Sequence, residues 1–364
     1  MGRDLEKKIW LYSLIIMFIG LVVLYSASYN NVRVGQKVFF DQLGFAGIGI
    51  VIMYVLGRID YRKFYDSAYF LYALNVFVLF LVLVTGRQAL GASRWIDIAG
   101  ISFQPSEFMK LTLILMLGRY FSRRRVNLSF SFLSKTQLII RDFIFPFTLT
   151  LIPMFLIFKQ PDLGTALLLF GIFFIMLFVG GIGYRYILSF FIFCLCFSPL
   201  AWHILKPYQR DRLLVFLNPD KDPLGAGYTI IQSKIAIGSG QLFGKGWLAG
   251  TQSQLNFLPE RHTDFIFSVV GEEWGLMGTL LVLAMYFLLI HTAINIAEQI
   301  KDRFGVYVCI GIAAILALQA IINIGMVMGL FPIVGITLPF ISYGRSSFFV
   351  CVFMMGFLLS LSKR

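Results

Sequence analysis

The stretch Phe257-Leu-Pro-Glu-Arg-His-Thr-Asp264-Phe-Ile-Phe-Ser-Val-Val-Gly-Glu-Glu-Trp-Gly275 passes from a long polar segment into a long apolar run. A carboxylate at such a boundary is costly to hold beside lipid, which makes Asp264 a functional candidate. The run it opens, about 264–290, is long enough to cross a bilayer, for which roughly 20 apolar residues suffice. That run decides the fold class because others like it line the chain. They lie at about 9–26, 39–57, 66–84, 104–121, 143–158, 163–182, 186–205, 304–328 and 337–361. Only Lys159-Gln-Pro-Asp162, a tight reversal, separates the fifth from the sixth.

Composition agrees. Of 364 residues, 59% are hydrophobic and 13% charged, and the mean hydropathy is +0.83. Soluble domains carry roughly 25% charged residues, so these charges are too few to cover a water-soluble surface. The expectation is an all-α polytopic membrane protein with about ten transmembrane helices. It forms a single membrane domain over 1–364, with a large extracytoplasmic loop at about 206–263 carrying short interfacial helices. The first run, Ile9 to Tyr25, has no small-residue cleavage site and reads as an anchor. Cys194, Cys196, Cys309 and Cys351 all lie in apolar runs, which argues against a disulfide framework or a zinc site. The three histidines lack metal-ligand spacing. The net charge of +13 suits anchoring to anionic membrane lipids rather than nucleic acid.

Basic residues orient the spans. With both termini cytoplasmic, 17 Lys and Arg fall on the inner side, and five (Arg33, Lys37, Arg87, Arg94 and Lys159) fall in short outer loops. Segment 206–263 and Asp264 then lie at the outer face. That segment holds seven basic residues, including Lys206, Arg210, Lys234 and Arg261, against four acidic ones. Its Ile231, Ile235 and Ile237 could form an amphipathic helix lying in the interface. Its Gly-rich turns with nearby Lys and Arg read either as solvated turns or as a cradle for phosphate.

Several charges fall within the runs. Gln104-Pro-Ser-Glu-Phe-Met-Lys110 opens the fourth, with Pro105 suited to a first helical turn. Glu107 and Lys110 share a helical face. They read either as an ion pair that fixes packing, or as a phosphate-binding Lys110 held by Glu107. Glu272 and Glu273 follow Asp264 on the eighth run, where Gly271 and Gly275 would let another helix approach closely. Asp162 at the tight turn is a further candidate, and Arg345 would snorkel or pair with an acid.

These motifs resemble the SEDS family, the RodA, FtsW and SpoVE group. The resemblance rests on Gly91-Ala-Ser-Arg-Trp95, Phe103-Gln-Pro-Ser-Glu-Phe-Met-Lys110 and Gln160-Pro-Asp-Leu-Gly-Thr165. It continues through Gln232-Ser-Lys-Ile-Ala-Ile-Gly-Ser-Gly240, Leu258-Pro-Glu-Arg-His-Thr-Asp-Phe-Ile-Phe267, Gly329-Leu-Phe-Pro and Leu338-Pro-Phe-Ile-Ser-Tyr-Gly344. Lys206-Pro-Tyr-Gln-Arg210 and Asp222-Pro-Leu-Gly-Ala-Gly-Tyr228 resemble the RodA branch more than the FtsW branch. Two positions depart: Gln241 and Arg345 stand where the family usually has Gly.

The resemblance implies a ten-helix peptidoglycan glycosyltransferase that polymerises lipid II at the outer face of the bacterial plasma membrane, for elongation and rod shape. It implies that Asp264 is essential and that Trp95, Glu107 and Lys110 matter for function. It implies a class B penicillin-binding protein as partner, with MreB-associated elongation proteins around it. In such a reaction a carboxylate near the acceptor hydroxyl can serve as general base, and cations can stabilise the departing diphosphate. Asp264 takes the first role and Lys110, Arg94 and Arg210 the second. No cofactor is certain, and a divalent cation, Mg or Mn, is compatible with the diphosphate. The rival readings are a lipid II flippase and a scaffold that only recruits a penicillin-binding protein.

Overall fold

The computed structural model describes residues 2–30, 35–85, 87–89, 92–98, 101–123, 140–196, 203, 207–219, 222–223 and 227–363. Arg33, Arg124, Arg125, Lys135, Lys206, Lys221, Arg364 and the end of the seventh run lie outside the described residues.

The helices are α1 (Gly2–Ser28), α2 (Gly35–Leu56), α3 (Arg62–Thr85), α4 (Pro105–Ser122), α5 (Phe145–Lys159), α6 (Leu163–Val179), α7 (Tyr184–Cys196), α8 (Pro207–Leu217), α9 (Tyr228–Ser239), α10 (Thr251–Gln254), α11 (Ile266–Gln299), α12 (Arg303–Val327) and α13 (Arg345–Ser362). A π-helical turn, Ile140–Ile144, leads into α5. Seven of these helices, α5 together with its leading turn among them, are long and apolar enough to cross a membrane. Of the other expected spans, α6 is a shorter apolar helix of 17 residues, and α4 carries Glu107, Lys110 and Arg119.

Burial is turned outward as lipid requires. On α3, Ala68, Tyr72, Leu79 and Val82 are buried, whereas Phe70, Phe77 and Val84 are exposed. Both stripes follow the helical repeat. Helices α4 and α12 pack on each other and on α6, and α13 is the most buried of the candidate spans among the described residues. Helix α11 packs against α12 and α1, and α13 fits between α2, α1 and α4. The tenth run is helical only from Arg345; residues 337–344 form a buried loop.

A small antiparallel sheet was not anticipated. Strands β1 (Arg87–Ala89), β2 (Ala92–Ile98) and β3 (Ile101–Phe103) run in that order, with Trp95 opposite Arg87 and Asp97 opposite Ser102. The sheet rests on α3, α4 and α13, so it fixes the Arg94-Trp95 motif over the bundle.

Two expectations about the loop and the eighth run are corrected. Helix α9 does not lie alone in the interface on its isoleucines. It packs on α11 and α12 through Ile230, Ser233 and Ala236, and Ile235 points outward. The Ser233 hydroxyl donates to the Val327 carbonyl at 2.6 Å and meets Ser268 Oγ at 2.9 Å. The second correction concerns the pair Gly271 and Gly275: Gly271 admits another helix closely, as expected, but Gly275 receives a loop. Gly271 faces Ile237 of α9, and Gly275 breaks α11 with φ 64° and ψ −158°, a conformation open to Gly. Leu276 N and Met277 N, which would reach back four residues to Glu272 and Glu273, donate instead to the Gln241 and Leu242 carbonyls at 2.8 and 3.1 Å. Glu272 O and Glu273 O accept from Lys245 N and Gly246 N, both at 3.0 Å. The loop thus takes over the broken ladder and leaves none of these four groups unpaired in the apolar layer.

Candidate active site

Asp264 sits in the turn immediately before α11 and is half-buried. The chain around it is pinned carbonyl by carbonyl. His262 O accepts from Tyr343 N at 2.9 Å. Thr263 O accepts from Ser342 Oγ at 2.6 Å. Asp264 O accepts from Asn323 Nδ2 at 2.9 Å, and the same amide donates to Ile336 O at 2.6 Å. Three residues before Asp264, buried Arg261 donates through Nε to Ala27 O at 2.6 Å. Gly335 turns with φ 71° beside the carboxylate, its Cβ direction pointing at Asp264 Oδ2. The loop 334–344 and the end of α12 therefore hold the main chain at Asp264, which is itself half-buried.

Asn323 is the residue that sequence reasoning missed. It is fully buried within α12, in a run read only as a span. The available signal was an amide, one turn after Gln319, in an otherwise apolar helix, where polar groups serve as interhelical contacts.

A second cluster gathers most of the remaining candidates. Asp162, 3% exposed, caps α6 by accepting from Thr165 N at 3.2 Å and Thr165 Oγ1 at 2.9 Å. It also accepts from Gln104 Nε2 at 3.3 Å and Ser106 Oγ at 3.4 Å, joining the first turns of α4 and α6. Arg94 Nε donates to Gln160 O at 3.0 Å and its Nη2 to Pro161 O, so the sheet is tied to the same reversal. Gln104 N donates to Ser346 Oγ at 2.9 Å. Lys110, 1% exposed, pairs with Glu107 at 2.7 Å, the packing arrangement of the two readings. Loop 334–344 and the first turn of α13 link this cluster to Asp264, since Gly164 of α6 abuts Val334 O and Ser346 reaches Gln104.

The other candidates lie apart from these contacts. Arg210 donates to His203 O at 2.9 Å within its own segment. Trp95 stands half-buried on β2. Arg345 pairs with Asp41 of α2 at 2.9 Å and lies over the Phe45 ring. It opens α13 with a helical backbone, so the departure from Gly adds no strain there. Gln241, by contrast, has φ 50°, the left-handed region that Gly enters freely.

Glu272 and Glu273 are structural. Glu272 is fully buried and accepts from Gln252 N at 2.8 Å, Ser253 N at 3.1 Å, Thr251 Oγ1 at 3.2 Å and Lys245 Nζ at 3.0 Å. Glu273 accepts from Ser26 Oγ and Gln254 Nε2, tying α11 to α1 and α10. In the polar turn before α11, burial holds His262 below the ordinary imidazole range, with Glu260 and Arg261 opposing each other as smaller influences. Among the described residues no three His, Cys, Asp or Glu side chains converge as a metal cage.

Comparison with known proteins agrees with this arrangement. Residues 6–364 match the family model described as cell cycle protein, FtsW/RodA/SpoVE. The peptidoglycan glycosyltransferase MrdB of Escherichia coli K12 is 41% identical, over 98% of this chain and 93% of its own. Stage V sporulation protein E of Bacillus subtilis is 37% identical, over 96% and 95%. A solved chain from a peptidoglycan synthase complex that coordinates polymerization and crosslinking superposes with a TM-score of 0.81 at 30% identity, over 98% and 96%. The rod shape determining protein RodA of Thermus thermophilus superposes at 0.71 with 27% identity, over 98% and 95%.

Proposed function

The chain belongs to the FtsW/RodA/SpoVE family and is a multi-pass membrane peptidoglycan glycosyltransferase, and from this we propose that it polymerises lipid II with Asp264 as general base. The acceptor sugar 4-hydroxyl attacks the donor anomeric carbon. A carbon–oxygen bond forms, the bond from that carbon to the diphosphate breaks with its electron pair on the diphosphate, and the hydroxyl proton passes to Asp264. The observation that carries this reading is the clamp: three successive carbonyls fixed by Tyr343, Ser342 and Asn323, at a residue that is itself half-buried. Fixed placement of a base is what converts binding into rate.

Arg94 and Arg210, both partly exposed, are the cations proposed to meet the diphosphate, with a divalent ion, Mg or Mn, carried in by the substrate. Trp95 stands beside Arg94 at the substrate. Sealed Lys110 acts through Glu107, and Asp162 acts by holding α4 and α6 in register. Both termini lie in the cytoplasm and Asp264 faces outward, in keeping with the basic residues. The partner is a crosslinking class B penicillin-binding protein, within an MreB-associated elongation complex.

The test is glycan synthesis from purified lipid II in detergent by the chain with its partner. Asp264→Asn is expected to lose activity by about 100-fold or more while keeping the thermal midpoint of the parent. Full activity in Asp264→Asn would sink the base role. Polymerisation in detergent, where no two compartments exist, also separates an enzyme from a flippase or scaffold.

A further inference from the structure

We propose that a cavity at the far end of α12 from Asp264 binds the phosphodiester headgroup of an anionic lipid. Helix α12 has 25 residues, about 37 Å at the helical rise. Asn323, near its C-terminus, holds Asp264. At its N-terminus a cavity of about 470 Å³ opens among Arg62, Tyr65 and Asp66 of α3, Ser122 of α4, and Lys301 and Arg303 at the turn from α11 into α12. The two sites therefore lie on opposite sides of the bundle.

Charge and chemistry select the ligand. Three cations line the opening. Two more stand behind Tyr65: Arg119 lies 4.9 Å from its ring centroid, and Arg123 Nε donates to its hydroxyl at 2.9 Å. Asp302 also lines the opening, so three cations face two acids there, but its carboxylate already serves the turn into α12. It caps Gly305 N at 3.1 Å and accepts from Tyr61 Oη at 3.3 Å. Asp66 and Ser122 remain on the wall as partners for hydroxyl groups. A phosphodiester bearing hydroxyls, such as a glycerol headgroup, meets the cations with its phosphate and Asp66 and Ser122 with its hydroxyls. The volume falls in the range of small-ligand sites, roughly 300–1,000 Å³. Helices α3, α11 and α12, each long and apolar enough to span, all end here, so the cavity opens at headgroup depth. Inorganic phosphate shares the phosphate chemistry but lacks the hydroxyls and the acyl chains that keep a lipid at that depth.

The experiment uses the full chain in phosphatidylcholine nanodiscs doped with phosphatidylglycerol, with retained lipid counted by native mass spectrometry after release. Phosphatidylglycerol is expected to be retained over phosphatidylcholine, to resist excess inorganic phosphate, and to be held about tenfold more weakly by Arg62→Gln/Lys301→Gln. Lys301→Gln alone, at an exposed position, is expected to weaken retention measurably even if the double variant folds poorly. Undiminished retention in Lys301→Gln, or displacement by inorganic phosphate, overturns the proposal.

Discussion

Asp264 and Glu272 stand eight residues apart on one stretch of chain, and their surroundings are opposite. Glu272 has no exposure, and its carboxylate is filled by two backbone N–H groups, a hydroxyl and a lysine. At Asp264 the main chain is what is fixed, through Asn323, while the side chain stays half-buried beside Gly335. A buried carboxylate saturated by donors is part of the scaffold, because the backbone N–H groups it satisfies would otherwise be orphaned. A half-buried carboxylate on an immobilised backbone is the one of the two placed to exchange a proton with something that arrives.

The comparison can be broken most directly by swapping assays. Asp264→Asn should abolish polymerisation and spare stability. Glu272→Ala should do the reverse, costing about 3 kcal/mol of stability by orphaning several donors, with turnover per folded molecule retained. Thermal unfolding in detergent alongside the lipid II assay separates the two, and a stable but inactive Glu272→Ala would collapse the distinction.

Next in size is Asn323→Ala. Loosening the clamp should lower kcat roughly tenfold and leave the KM for lipid II little changed. An unchanged kcat would mean that the clamp does not position Asp264.

His262 sharpens the picture through pH. Its folded pKa lies below the unfolded value, so the unfolded chain binds the proton more readily. Its contribution to stability is complete above about pH 6.5 and is lost as pH falls from there through the folded pKa. Unfolding midpoints measured from pH 7.5 down to 5 should show this slope, and His262→Gln should remove it. The smallest effect is expected at Gln241. Replacing it with Gly should raise stability by about 1 kcal/mol by relieving its positive φ, with activity unchanged.

Much of this arrangement was legible in the residues. Most span positions, the boundary at Asp264, the reversal at Asp162, and Pro105 in a first helical turn with Glu107 and Lys110 on one face all follow from local spacing and the cost of charge in an apolar run. The break at Gly275 was misread because a small-residue pair has the same appearance whether it admits a helix or a loop. Asn323 was passed over because one amide hardly changes the hydropathy of a 25-residue helix.

By itself, then, the sequence determined that the chain lives in a bilayer, where its helices run, and which carboxylate stands at the decisive boundary. Those properties depend on transfer of side chains from water to lipid and on helical periodicity, both local in the chain. Only the tertiary structure decided which charges are buried and saturated by donors and which stay half-buried. A carboxylate's role depends on donors that come from far along the chain: Gln252 and Lys245 for Glu272, Asn323 and loop 334–344 for the backbone at Asp264. Hydrogen-bond saturation is a property of packing, and no spacing along the chain encodes it.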